Sequence, residues 1–182
     1  MSSEQSVTTT DAPAKYFGLT DAIFVIIAIV VGVMVSHLGY STYVEGANTE
    51  ETKAHGEQLA TWLEQHGAAR AEGKAGNVAA CDAKDATWKS CIDALHAEGG
   101  PFAGLNNVDD KNGKLFAAAC DHDDLDSHGA IILEKGIAKA PPNSGFDYAP
   151  IADNEPLNEL LPIRISICGR AFSLIRIKEV LF

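Results

Sequence analysis

The sequence predicts an α+β protein: an N-terminal transmembrane helix continuing into an amphipathic helix, followed by a small disulfide-bearing antiparallel-sheet domain. Three observations carry that expectation. A long uncharged apolar run lies before residue 40, all 4 cysteines come after residue 80, and isoleucines alternate with polar residues near residue 165. The implied division is a tail or leader over 1–18, a transmembrane helix over 19–43, an amphipathic helix over 44–70 and an extracytoplasmic α+β domain over 71–182.

The apolar run AIFVIIAIVVGVMV, residues 22–35, has no charge and no strong polar group. Extended from Leu19 through Tyr43 it gains a single charge, Asp21. At a rise of about 1.5 Å per residue, roughly 20 residues cross the ~30 Å hydrocarbon core. Only a helix hides its own backbone polar groups there. Tyr16 and Phe17 on one side, and Tyr40 and Tyr43 on the other, stand where interfacial aromatic belts stand. A cleaved signal peptide would have a basic start and a small-residue cleavage site. Here the tail carries Lys15 against Glu4 and Asp11, and no A-x-A follows the apolar run, so an uncleaved anchor is expected. Lys15 before the helix, against Glu45, Glu50 and Glu51 after it, directs the N-terminus inward and the larger domain outward.

Within this helix Gly32, Ser36 and Gly39 form a small-residue stripe, with Gly46 following, and such a stripe lets another helix approach closely. Asp21 is expected either to snorkel to the headgroups or to contact a neighbouring subunit's amine. Beyond the bilayer Asn48 or Thr49 can cap a new first turn, followed by Glu50 and Glu51. Leu59, Trp62 and Leu63 share one helical face, while Gly46 and Gly56 mark positions for a kink or break.

Residues 71–80 read as a linker or turn. A short helix is expected next, with Ile92 and Leu95 inward, ending at Gly99-Gly100. VDDKNGKLF suggests two short strands around Asn112-Gly113, AIILEKGIA a further strand, and PPNSGFDYAPIADNEP a loop. Ile163, Ile165 and Ile167 alternate with Arg164, Ser166 and Cys168, as in a half-buried strand. Gly169-Arg170 then turns the chain into a second strand or a short terminal helix.

An even cysteine count outside the cytoplasm implies two disulfides, and three pairings exist. The favoured one joins Cys81 to Cys91 around Trp88 and Cys120 to Cys168 across the domain. No C-x-x-C spacing occurs, so structural cross-links are expected rather than metal or redox chemistry. The net charge of -11 excludes nucleic acid, whose phosphates need a basic face, and disfavours anionic headgroups.

Phosphate-loop, nucleophile-elbow, zincin and dinucleotide motifs are all absent from the sequence, and no enzyme is expected. The densest polar cluster is CDHDDLDSH, residues 120–128. A solvated acidic loop is its expected role. Asp121, Asp123, Asp124 and Asp126 could otherwise ligate calcium, the one cofactor considered, though the glycine and distal Glu of an EF-hand loop are missing. His122 with His128 would suit a transition metal. His37, His55, His66 and His96 are scattered without partners.

The layout resembles that of type IV pilins and pseudopilins: Lys15-Tyr16-Phe17-Gly18 before an apolar helix, an amphipathic continuation to about residue 70, and a disulfide-bearing strand region. The resemblance implies a filament built by packing long helices centrally with the heads outside. It also implies a leader cut after Gly18, leaving Leu19 as the mature start. That family usually has Phe at the mature start and Glu at the fifth residue, where this chain has Leu19 and Ile23; Asp21 offers a carboxylate at the third. The expected role is a non-catalytic structural subunit whose partners are the lipid bilayer and other membrane helices or copies of itself. The alternative is a tethered ligand- or calcium-binding module.

Overall fold

The computed structural model describes residues 18–141, 144–157 and 159–182. Lys15, the Tyr16–Phe17 pair and the leader apart from Gly18 lie outside them. The contacts divide the chain into two units, one running to Thr42 and the other from Tyr43 to Phe182.

Helix α1, Leu19–Ala71, is continuous over 53 residues and belongs to both units. The break expected at Gly46 or Gly56 does not occur, and neither does a new N-cap at Asn48 or Thr49. Thr49 and Thr52 instead donate their hydroxyls back to the carbonyls of Glu45 and Asn48 at 2.8 and 2.9 Å, inside the running helix. Gly56 has a packing reason. A Cβ there would lie 3.3 Å from Ile177 Cγ1 and 3.4 Å from Ile167 Cγ2, so the glycine seats the helix on the sheet. The buried face of α1 is Thr52, Gly56, Leu59, Ala60, Leu63, His66 and Gly67, at spacings of three and four. Gly73, at φ +69°, ends the helix. Lys74 N–H donates to the Ala69 carbonyl and Gly73 N–H to that of Arg70, a Schellman closure.

The segment expected as a linker or turn, 71–80, is irregular between the end of α1 and its last two residues, which open a helical turn, α2 (Ala79–Asp82), that places Cys81 for its bond to Cys91. Helix α3 (Trp88–His96) starts with a capping box between Thr87 and Ser90. Its free amides at Trp88 and Lys89 donate to the Glu155 and Asp153 carbonyls at 2.8 and 3.0 Å, docking the 151–157 loop on the helix start.

Five strands form one sheet: β1 (Phe116–Ala117), β2 (Ile131–Ala138), β3 (Phe146–Pro150), β4 (Pro162–Cys168) and β5 (Leu174–Leu181). The order is β1-β2-β4-β5, and β3 also pairs with β2. All pairings are antiparallel except the short β1–β2 contact. The last segment is thus a strand and not a helix. A bulge between Ile165 and Ser166 of the β4–β5 ladder shifts the inward phase of β5, from Ile175 and Ile177 to Val180 and Phe182.

Two sequence expectations fail here. The hairpin expected at Asn112-Gly113 is a turn with a strand only after it. Buried Asn107 holds the backbone amides of Asp109 and Asp110 with its Oδ1 while its Nδ2 donates to the Lys114 and His128 carbonyls, so the amides at 109 and 110 bond to a side chain and not to a neighbouring strand. Conversely, 146–150 forms an edge strand where a loop was expected. Among the described residues it pairs only with β2, and Pro150 is tolerated at its end.

The main core lies between α1, α3 and one sheet face. Leu59, Leu63, Leu95, Ile163, Ile165, Ile167 and Phe182 are each at most 1% exposed. Ile132 and Cys168 point to the other face, where Ala130, Phe172 and the Cys120–Cys168 disulfide form a smaller cluster. The alternation expected in β4 is therefore real, but both of its faces are covered at this end.

Candidate functional site

The most distinctive surface of the chain is the first half of α1. It is the one helix among the described residues long and apolar enough to cross a membrane, and none of its apolar window is buried within the protein. Leu19, Phe24 and Leu38 are 81%, 68% and 67% exposed. The core helix of a soluble domain would be mostly covered, whereas the described residues leave this stretch bare. Two hydroxyls near its end are satisfied locally: Ser41 and Thr42 both donate to the Leu38 carbonyl, at 3.0 and 2.9 Å.

Gly32 and Gly39 each have open space where a Cβ would stand, as has Gly46. Ser36, between them, is exposed on the same helix. Asp21 has a local task. Its Oδ2 accepts the Gly18 N–H at 3.1 Å, the return half of a capping box at the start of α1, favourable for a carboxylate beside the positive end of the helix.

The acidic segment does not converge on one point. Among the described residues no group of three or more His, Cys, Asp or Glu side chains is placed to hold a metal ion. Asp124 binds Lys114 at 2.9 Å and pushes its pKa up, and Asp121 Oδ1 caps the Asp123 amide. A 3-10 turn, Leu125–Ser127, carries Asp126, while buried Ser127 bonds back to the Asp121 backbone. His122 and His128 are placed beside Phe172, at ring separations of 5.1 and 5.5 Å. His128 also faces Asp109 at 3.0 Å, which accepts from Asn48 of α1 at 2.8 Å.

Both disulfides join the pairs favoured from the sequence, Cys81–Cys91 and Cys120–Cys168, and no cysteine is free. Near Cys81 the structure assembles a cluster that sequence reading misses. His66 stacks on Trp62 at 4.1 Å, sits 3.7 Å from Asp82 Oδ2 and is 6% exposed. Burial lowers its pKa, only partly opposed by the Asp82 carboxylate. Gly76 leaves the room, since a Cβ there would overlap the imidazole. Arg70 lies 4.8 Å over the Phe182 ring, and Trp88 meets that ring edge-on at 6.2 Å. The one local signal was the 66/70 spacing of a helix face; Asp82 and Phe182 are too distant in sequence to have been foreseen there.

No protein-family model, curated protein or solved structure matches the chain.

Proposed function

We propose that the protein is a non-catalytic, single-pass membrane-anchored structural subunit, pilin-like in layout, of a filament or membrane protein assembly. The observation that carries this is one uninterrupted helix used in two ways: apolar and uncovered over its first half, sheet-packed over its second. The first half anchors the subunit in the bilayer and offers Gly32, Ser36 and Gly39 to the helices of other copies or other membrane proteins, by close packing rather than hydrophobic drive. The two disulfides support a head outside the cytoplasm, periplasmic or extracellular, because such bonds persist in oxidising compartments.

The test is assembly with the head kept as an internal control. Gly32→Leu or Gly39→Leu, expressed in the native membrane, is expected to abolish co-purification of the assembly while leaving the head's tryptophan fluorescence unchanged. Recovery of intact assembly with both variants would overturn the packing role. The mass of the mature chain tests the pilin-like part: loss of 1–18 agrees with processing after Gly18, full length with a plain anchor, and loss of the apolar stretch refutes anchoring.

A further inference from the structure

Beside the His66 cluster, the end of α1 and the α2 turn enclose a surface hollow of about 450 Å³ whose walls include Arg70, Lys74, Asp82, Lys84 and Leu157. The chain as a whole carries 25 acidic residues against 14 Lys and Arg, yet three cations meet here with a single carboxylate. That carboxylate is already engaged. Asp82 Oδ2 accepts the Gly76 amide at 2.7 Å and faces His66, and it is not within ion-pair distance of Arg70 among the described residues.

Arg70 forms part of the wall of the hollow. Its Nη2 donates to the Leu157 carbonyl, and its Nη1 is shielded from solvent with no hydrogen-bond partner among the described residues. A buried guanidinium nitrogen without an acceptor costs free energy, offset here only in part by the Phe182 ring and the Asp82 charge. Burial lowers the Arg70 pKa, only partly opposed by the nearby Asp82 carboxylate. Its place in the last turn of α1 suits a positive charge and accounts for an arginine there, but not for the unpaired nitrogen. Lys84 has no acidic partner within 4.0 Å among the described residues, and Lys74 reaches only Glu72, at 2.5 Å on the exposed rim.

We propose that this hollow is a binding site for a small oxyanion, a phosphate- or carboxylate-bearing molecule. Exposed Lys84 and Lys74 supply the donors that an anion can reach, and the half-buried guanidinium of Arg70 adds positive charge to the wall. The site is independent of the membrane and assembly reading, since every group belongs to the unit that begins at Tyr43.

The experiment is isothermal titration of the full chain, in non-ionic detergent at fixed ionic strength, with inorganic phosphate and separately with acetate. One saturable site is expected for at least one of them, with a Kd of about 1 mM or tighter. Saturation by phosphate alone assigns a phosphate group, by acetate alone a carboxylate, and by both the shared oxyanion chemistry. Lys84→Gln, an exposed change, is expected to weaken binding about three- to tenfold with the melting temperature unchanged, and Arg70→Gln to abolish it. Should Arg70→Gln fail to fold, Lys84→Gln alone decides. Absence of saturation with either anion, or affinity unchanged in Lys84→Gln, would overturn the proposal.

Discussion

Gly67→Ala is the sharpest test of how α1 sits on the sheet, because helix propensity and packing predict opposite signs. In an open helix, alanine for glycine gains about 1 kcal/mol. At Gly67 a Cβ would overlap the Leu181 carbonyl oxygen and lie 2.8 Å from the Leu181 carbonyl carbon and 2.9 Å from Phe182 Cα. Carbon contacts are comfortable at about 3.5–4.0 Å, so helix and strand must part by roughly 1 Å. None of the obstructing atoms is a side chain that can rotate away. They are also tied down: Phe182 N–H donates to the Leu161 carbonyl at 2.9 Å, and Leu161 N–H returns to Phe182 at 2.6 Å. Overpacking costs about 1–3 kcal/mol and sometimes more, and a rigid backbone obstacle belongs at the upper end. Set against the propensity gain, a net loss of about 2 kcal/mol is expected. Gly46→Ala is the control. Nothing lies within 4 Å of its Cβ position, so the same substitution is expected to stabilise by about 0.5–1 kcal/mol. Urea unfolding of the full chain in mild detergent, followed by the fluorescence of Trp62 and Trp88 in the head, measures both. A Gly67→Ala protein as stable as the parent would refute the described contact between α1 and β5.

Two further outcomes follow from the same core. Because burial lowers the His66 pKa below 6.5, the unfolded chain takes up that proton first; stability from this group is complete above pH 6.5 and declines as the pH falls below it, down to the folded group's own pKa. Melting temperature recorded from about pH 8 to pH 5 should fall less in His66→Gln than in the parent over that window, and identical slopes would contradict a buried neutral imidazole. Chain-entropy arguments rank the cross-links: with sequence separations of 48 and 10, losing Cys120–Cys168 should cost about 4 kcal/mol and losing Cys81–Cys91 about 3 kcal/mol. Paired Cys→Ser variants in urea unfolding check the order, and a larger loss at Cys81–Cys91 would reverse it.

What was legible in the sequence is what depends on solvent or on strict periodicity. An uncharged run such as residues 22–35 has few ways to satisfy water, so its exposure on α1 could be anticipated from composition alone. The period of two in Ile163, Ile165 and Ile167 identified a strand, because successive side chains of a strand face opposite ways. Even the favoured cysteine pairing agrees with the structure.

Tertiary structure decided the features whose meaning lies in a distant neighbour. Glycine is ambiguous by itself: Gly56 read as a place to break the helix, whereas Ile177 and Ile167 make it a place to pack. Strand β3 lies in a segment rich in Pro, Asn and Asp that reads as loop, yet one edge pairing with β2 suffices to hold it. Asn107 redirected an expected hairpin through hydrogen bonds that cross up to 21 residues. His66, Arg70, Asp82 and Phe182 meet only when α1, the α2 turn and the end of β5 are brought together. Local pattern determined the strongly periodic elements, α1 and β4, since there each residue's period is written in its neighbours. The hollow and its unpaired guanidinium nitrogen exist only in the fold, because burial and hydrogen-bond satisfaction are properties of the packed molecule and not of any segment.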